Sequence, residues 1–82
     1  LRELSILVKE KSNVAGYEVQ YSIVKSKISK GKIKRASGED NYFIDIKNVR
    51  PARKYYVRAR TYKTIDGVKK YSSWSKIKTL IY

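Results

Sequence analysis

Side chains that alternate with a period of two constrain this chain more than any other feature. In GYEVQYSI, residues 16–23, Tyr17, Val19 and Tyr21 fall on one face and Glu18 and Gln20 on the other. KYYVRARTYKT, residues 54–64, sets Tyr55, Val57 and Ala59 opposite Tyr56, Arg58 and Arg60. YFIDI, residues 42–46, turns Tyr42, Ile44 and Ile46 one way and Phe43 and Asp45 the other. Successive side chains of a strand point to opposite faces, so these segments read as half-buried antiparallel strands. LSILV (4–8) is a shorter β-prone run, and KIKRAS (32–37) reads as an edge strand protected by its lysines. The final run YSSWSKIKTLIY, residues 71–82, reads as a last strand with Ile77 facing away from Trp74, Lys76 and Lys78.

Turn formers punctuate these runs: KEKSN, the surroundings of Gly31, SGEDN, NVRPARK with the only proline, and Asp66-Gly67, a strong hairpin signal. No segment carries a helical period, and the ordered runs are rich in valine, isoleucine, threonine and tyrosine. The pattern predicts an all-β fold, a sandwich of antiparallel sheets in one domain over residues 1–82. Eighty-two residues leave room for one small core and no more.

Catalysis is poorly provided for. The chain has no cysteine and no histidine, which removes the thiolate ligand, the usual general base and the commonest metal ligand. Seven carboxylates remain, and the one adjacent pair, Glu39-Asp40, sits in a loop-like segment. We therefore expect no enzyme, no cofactor, no metal and no small-molecule substrate. No run approaches the length of a membrane span and none reads as a signal peptide. Leu1 in place of an initiator methionine leads us to expect a fragment of a longer protein. A formal net charge of +13 favours polyanions, although charge alone argues about association and solubility rather than fold.

Four segments together resemble a fibronectin type III domain of the bacterial extracellular kind. Ala15-Gly16-Tyr17-Glu18-Val19-Gln20-Tyr21-Ser22 is similar to that family's strand C. Val49-Arg50-Pro51-Ala52-Arg53-Lys54-Tyr55 resembles its turn into strand F, and Tyr55-Tyr56-Val57-Arg58-Ala59-Arg60 the strand itself. Tyr71-Ser72-Ser73-Trp74-Ser75 resembles the opening of strand G. The resemblance implies an immunoglobulin-like β-sandwich with Tyr55 as a tyrosine corner beside Pro51. It departs from the family at the start, where strand A is missing or truncated and Val8 stands where strand B usually carries a tryptophan. An uncovered edge of that kind invites self-association or strand exchange. The family further implies an extracellular or cell-surface spacer or protein-interaction module whose partners are neighbouring domains of the parent chain.

One stripe of residues admits two readings. If the last two strands pair through Asp66-Gly67, then Tyr56, Arg58, Arg60, Tyr62, Trp74 and Lys76 share the outer face of one sheet. YSSWS is similar to the second half of the WSxWS box of cytokine receptors, which implies interleaved arginine and tryptophan side chains bracing the sheet. The same groups would also suit an anionic wall polymer or nucleic acid, arginine and aromatic planes for stacking and lysines for phosphate. Lys78 would extend such a patch, and Lys30, Lys32, Lys34 and Arg35 would border it.

Overall fold

The computed structural model describes residues 2–9, 11–49 and 54–81. Seven strands and one short 3-10 helix follow one another among these residues. β1 (Arg2–Leu7) pairs with β4 (Phe43–Val49) in a two-stranded antiparallel sheet. β2 (Gly16–Ser22) lies between β3 (Lys32–Ser37) and β5 (Lys54–Ile65) in the second sheet. On the far side of β5 its two ends are covered separately, by β6 (Val68–Tyr71) and by β7 (Lys78–Ile81). All pairings are antiparallel, as the alternating sequence pattern requires.

The core forms where the apolar faces of the two sheets meet. Leu4, Ile6, Ile44 and Ile46 come from the two-stranded sheet, and Tyr17, Val19, Tyr55 and Val57 from the larger one. Both faces carry the residues that the alternation assigned to them: Phe43 is 58% exposed while its neighbour Ile44 is buried. Tyr17 is fully buried, and its hydroxyl donates to the Glu39 carbonyl at 2.7 Å while accepting from the Lys11 amide at 2.9 Å. The loop before β2 and the loop before β4 are thus tied to one phenol. Asp66 and Gly67 both have positive φ, 52° and 78°, and close the β5–β6 hairpin with the handedness of a primed turn.

Three expectations change. The segment around Gly31 is more than a turn, because residues Lys25–Lys30 form a 3-10 helix that buries Ile28. The last strand is not continuous: residues 72–77 leave the ladder, so the placement of Ile77 opposite Trp74 by a period of two does not apply there. Pro51 lies outside the described residues. Tyr55 is buried in the core as expected, but its expected role as a tyrosine corner with Pro51 lies outside the described residues.

Candidate functional site: a cation–π ladder on the outer sheet face

The outer face of the larger sheet is built from the polar half of each alternation. On β2 that half is Glu18 and Gln20, and the register sets Glu18 between Arg35 of β3 and Arg60 of β5. Gln20 lies opposite Arg58. Each of the three guanidiniums grips a single oxygen through two N–H donors. Arg35 holds Glu18 Oε2 at 2.7 and 2.5 Å, and Arg60 holds Glu18 Oε1 at 2.9 and 2.8 Å. Arg58 holds Gln20 Oε1 at 2.9 and 2.6 Å, and the amide nitrogen of Gln20 donates to the Gly31 carbonyl. Glu18 and Gln20 are consequently 1% and 3% exposed, although they lie on the face that looks away from the core. Charge-assisted bonds of this kind are about twice as strong as neutral ones. The hydrogen bond to Glu18 raises the Arg35 pKa, with partial desolvation acting against it.

Aromatic rings close over the guanidiniums. Arg60 is sandwiched between Tyr71 and Trp74, 4.0 and 4.1 Å from the ring centroids, and Arg58 lies 4.5 Å from Trp74. Tyr62 takes Arg35 at 5.2 Å and Lys69 at 5.8 Å. Cation–π contacts contribute about 0.5–2 kcal/mol each, more where water is excluded. Here the lower layer of acceptors orients each cation and the upper layer of rings covers it. Among the described residues no buried side-chain nitrogen or oxygen lacks a partner.

The route of the chain between β6 and β7 makes this stacking possible. Ser72 pairs with Thr61, Ser75 with Ala59 and Lys78 with Val57, so three residues on this side span two of β5. One residue is thus extra at each step, as in a β-bulge. The ladder is kept by hydroxyls: Ser72 and Ser75 accept the Thr61 and Ala59 amides through Oγ, each at 2.9 Å. The same two serines return their own amides to the Thr61 and Ala59 carbonyls. Replacing Ser72 and Ser75 together with alanine leaves two β5 amides without these acceptors. We expect a loss of about 1–3 kcal/mol in urea unfolding, and faster amide exchange confined to Thr61 and Ala59.

Gly16 gives Tyr62 its place at the end of the ladder. A Cβ at Gly16 would come within 2.6 Å of the Tyr62 hydroxyl and collide with the Ala36 carbonyl. The hydroxyl of Tyr62 also lies 3.3 Å from Ser37 Oγ, and the residue is 4% exposed. A ring on the outward face is therefore as buried as one in the core.

Of the residues expected on this face, Arg58, Arg60, Tyr62 and Trp74 are brought together in the ladder. Tyr56 lies on the same face, half-buried, without a cation–π contact among the described residues. Lys76 is exposed in the segment that leaves the ladder, and takes part only through its carbonyl, which accepts from Ser75 Oγ. Arg35 is not a border of a basic patch but a member of the ladder. Lys32 and Lys34 pair in register with Tyr21 and Val19, so they project to the opposite side of the sheet from the ladder, where both are exposed. The basic residues of β3 thus divide between two faces. Glu18, Gln20 and Tyr71 were absent from the expected set. The signal for Glu18 and Gln20 was the register: two acceptors on β2 face three arginines on the strands flanking it.

No family model matches this chain, and neither the curated proteins nor the solved structures contain a significant match.

Proposed function

We propose that this chain is a non-catalytic module of immunoglobulin-like, fibronectin type III topology, serving as a spacer or a protein-interaction and adhesion domain. Its setting, on the resemblance of its segments, is a bacterial surface or secreted multidomain protein, with neighbouring domains of the parent chain as partners. A two-stranded sheet facing a larger one in the order β3-β2-β5, with β6 and β7 beyond, accords with this reading. Sandwiches host many functions, so the site must carry the rest. The observation that carries it is the internal use of the arginines. Each arginine engages Glu18 or Gln20 through two of its nitrogens, and Trp74 covers Arg58 and Arg60, which suits a brace.

The alternative is attachment to a wall polymer or nucleic acid. It is favoured by the net charge of +13 and by the exposure of Lys63, Lys69, Lys70, Lys76 and Lys78 on and around the hairpin and β7. No described helix is long and apolar enough to cross a membrane.

The double variant Arg58→Gln/Arg60→Gln separates the two. For a brace, unfolding free energy falls by about 2 kcal/mol. The slope of log affinity for DNA against log salt then stays that of the unaltered chain. For a polyanion site of which both arginines form part, that slope falls by about 1.4–1.8, two phosphate contacts' worth.

A further inference from the structure

Among the described strands, β1 pairs along one edge, with β4. The Val8 amide donates to the Tyr42 carbonyl at 2.7 Å, and Leu4, Ile6 and Val8 share the alternation that faces β4. The main-chain groups of Ser5 and Leu7 therefore point the other way. No other described strand pairs there. A cavity of about 460 Å³ opens beside that edge, between β1 and the Ser72–Ser75 segment. Ile6 and Val8 form one wall, Val19, Val57 and Ala59 the floor, and Ser73 lies on the far side. Val19 and Val57 belong to the core and Ala59 packs against it.

We propose that this groove receives an extended peptide segment that adds to β1 as a third strand. The segment would alternate apolar residues, over Val19, Val57 and Ala59, with acidic residues that project outward. The acidic half follows from the rim. Lys9, Lys11 and Lys78 line the groove and are exposed, and no described carboxylate lines it. A second copy of the chain would bring another +13 charges to this rim, so charge disfavours it as the occupant. Backbone pairing to Ser5 and Leu7 would supply affinity, and the floor would select alternate side chains. The proposal names a partner class for the interaction-module reading and rests on that reading.

The test uses a peptide of roughly eight residues alternating valine with glutamate, N-methylated along one edge so that it cannot pair with itself. The reference peptide alternates valine with lysine. We expect the acidic peptide to bind at least about tenfold more tightly. Binding should slow amide exchange at Ser5 and Leu7 and shift the emission of Trp74, which lines the groove. Lys9→Glu/Lys78→Glu, changed only at exposed positions, should reverse the preference between the two peptides. Equal binding of both peptides, or no added protection at Ser5 and Leu7, overturns the proposal. So does protection of those amides that grows with protein concentration alone, which would give the edge to a second copy. Failure of the peptide while Arg58→Gln/Arg60→Gln still destabilises the chain with its salt slope unchanged would remove this partner class and leave the module reading in place.

Discussion

Glu18→Ala is expected to lower the unfolding free energy by about 2–4 kcal/mol, a loss on the order of 10–25 °C in melting temperature for a domain of this size. Glu18 is 1% exposed and both its oxygens are held, one by each flanking strand. Its removal leaves two guanidiniums facing an apolar methyl. Arg35, with 44% of its side chain exposed, can recover water, whereas Arg60 at 20% is pinned under two rings. Breaking one side of a buried pair costs more than the pair contributes, because the surviving charge is left without compensation. Urea unfolding followed by circular dichroism reads the loss directly. Asp45→Ala serves as the reference, since Asp45 is exposed and, among the described residues, accepts one hydrogen bond, from Ser5 Oγ at 2.8 Å; it should change stability by less than about 0.5 kcal/mol. Equal effects from the two variants would mean that the carboxylate under the ladder is a bystander.

Trp74→Ala should cost about 2–3 kcal/mol, combining two lost cation–π contacts with the indole area returned to water. The indole covers Arg58 and Arg60 at once, so its loss uncovers both. Trp74→Phe keeps a ring face over the cations and should cost about half as much. Coupling is the sharper readout. In the Trp74→Ala background, the added penalty of Arg58→Gln should shrink by about 0.5–2 kcal/mol relative to the unaltered chain. Independent, additive penalties would contradict a shared stack.

The alternation over residues 16–23, 42–46 and 54–64 was enough to read the strands, their inward faces and most of the core, because burial on one face of a strand leaves a period of two. The Asp66-Gly67 hairpin was equally legible, since few residue pairs accept two positive φ values in succession. The same rule misled at Glu18 and Gln20. A polar residue on the outward face reads as solvated, and only the register against Arg35, Arg58 and Arg60 reveals that this face has its own buried layer. Residues 72–77 were misread for a related reason. A period of two presumes a backbone ladder, whereas Ser72 and Ser75 substitute hydroxyls for carbonyls and let the chain advance three residues for every two of β5. Lys32 and Lys34 looked like the border of one basic patch because linear spacing does not tell which side of the sheet a strand residue serves. An uncovered strand edge was expected from the missing or truncated strand A of the resemblance, but the groove and its lysine rim required the two sheets to be placed.

We propose that the stripe of arginines and aromatics is a brace, and one titration tests that most directly. Trp74 is the only tryptophan, so no other indole contributes to its emission. The chain is titrated with DNA and with an anionic wall polymer, at low and at physiological salt, with a direct binding signal recorded beside the emission. For a brace, binding through the scattered lysines should fade as salt is raised while Trp74 emission stays unchanged throughout. Binding that persists at physiological salt and shifts Trp74 emission would contradict it and make the ladder a ligand surface.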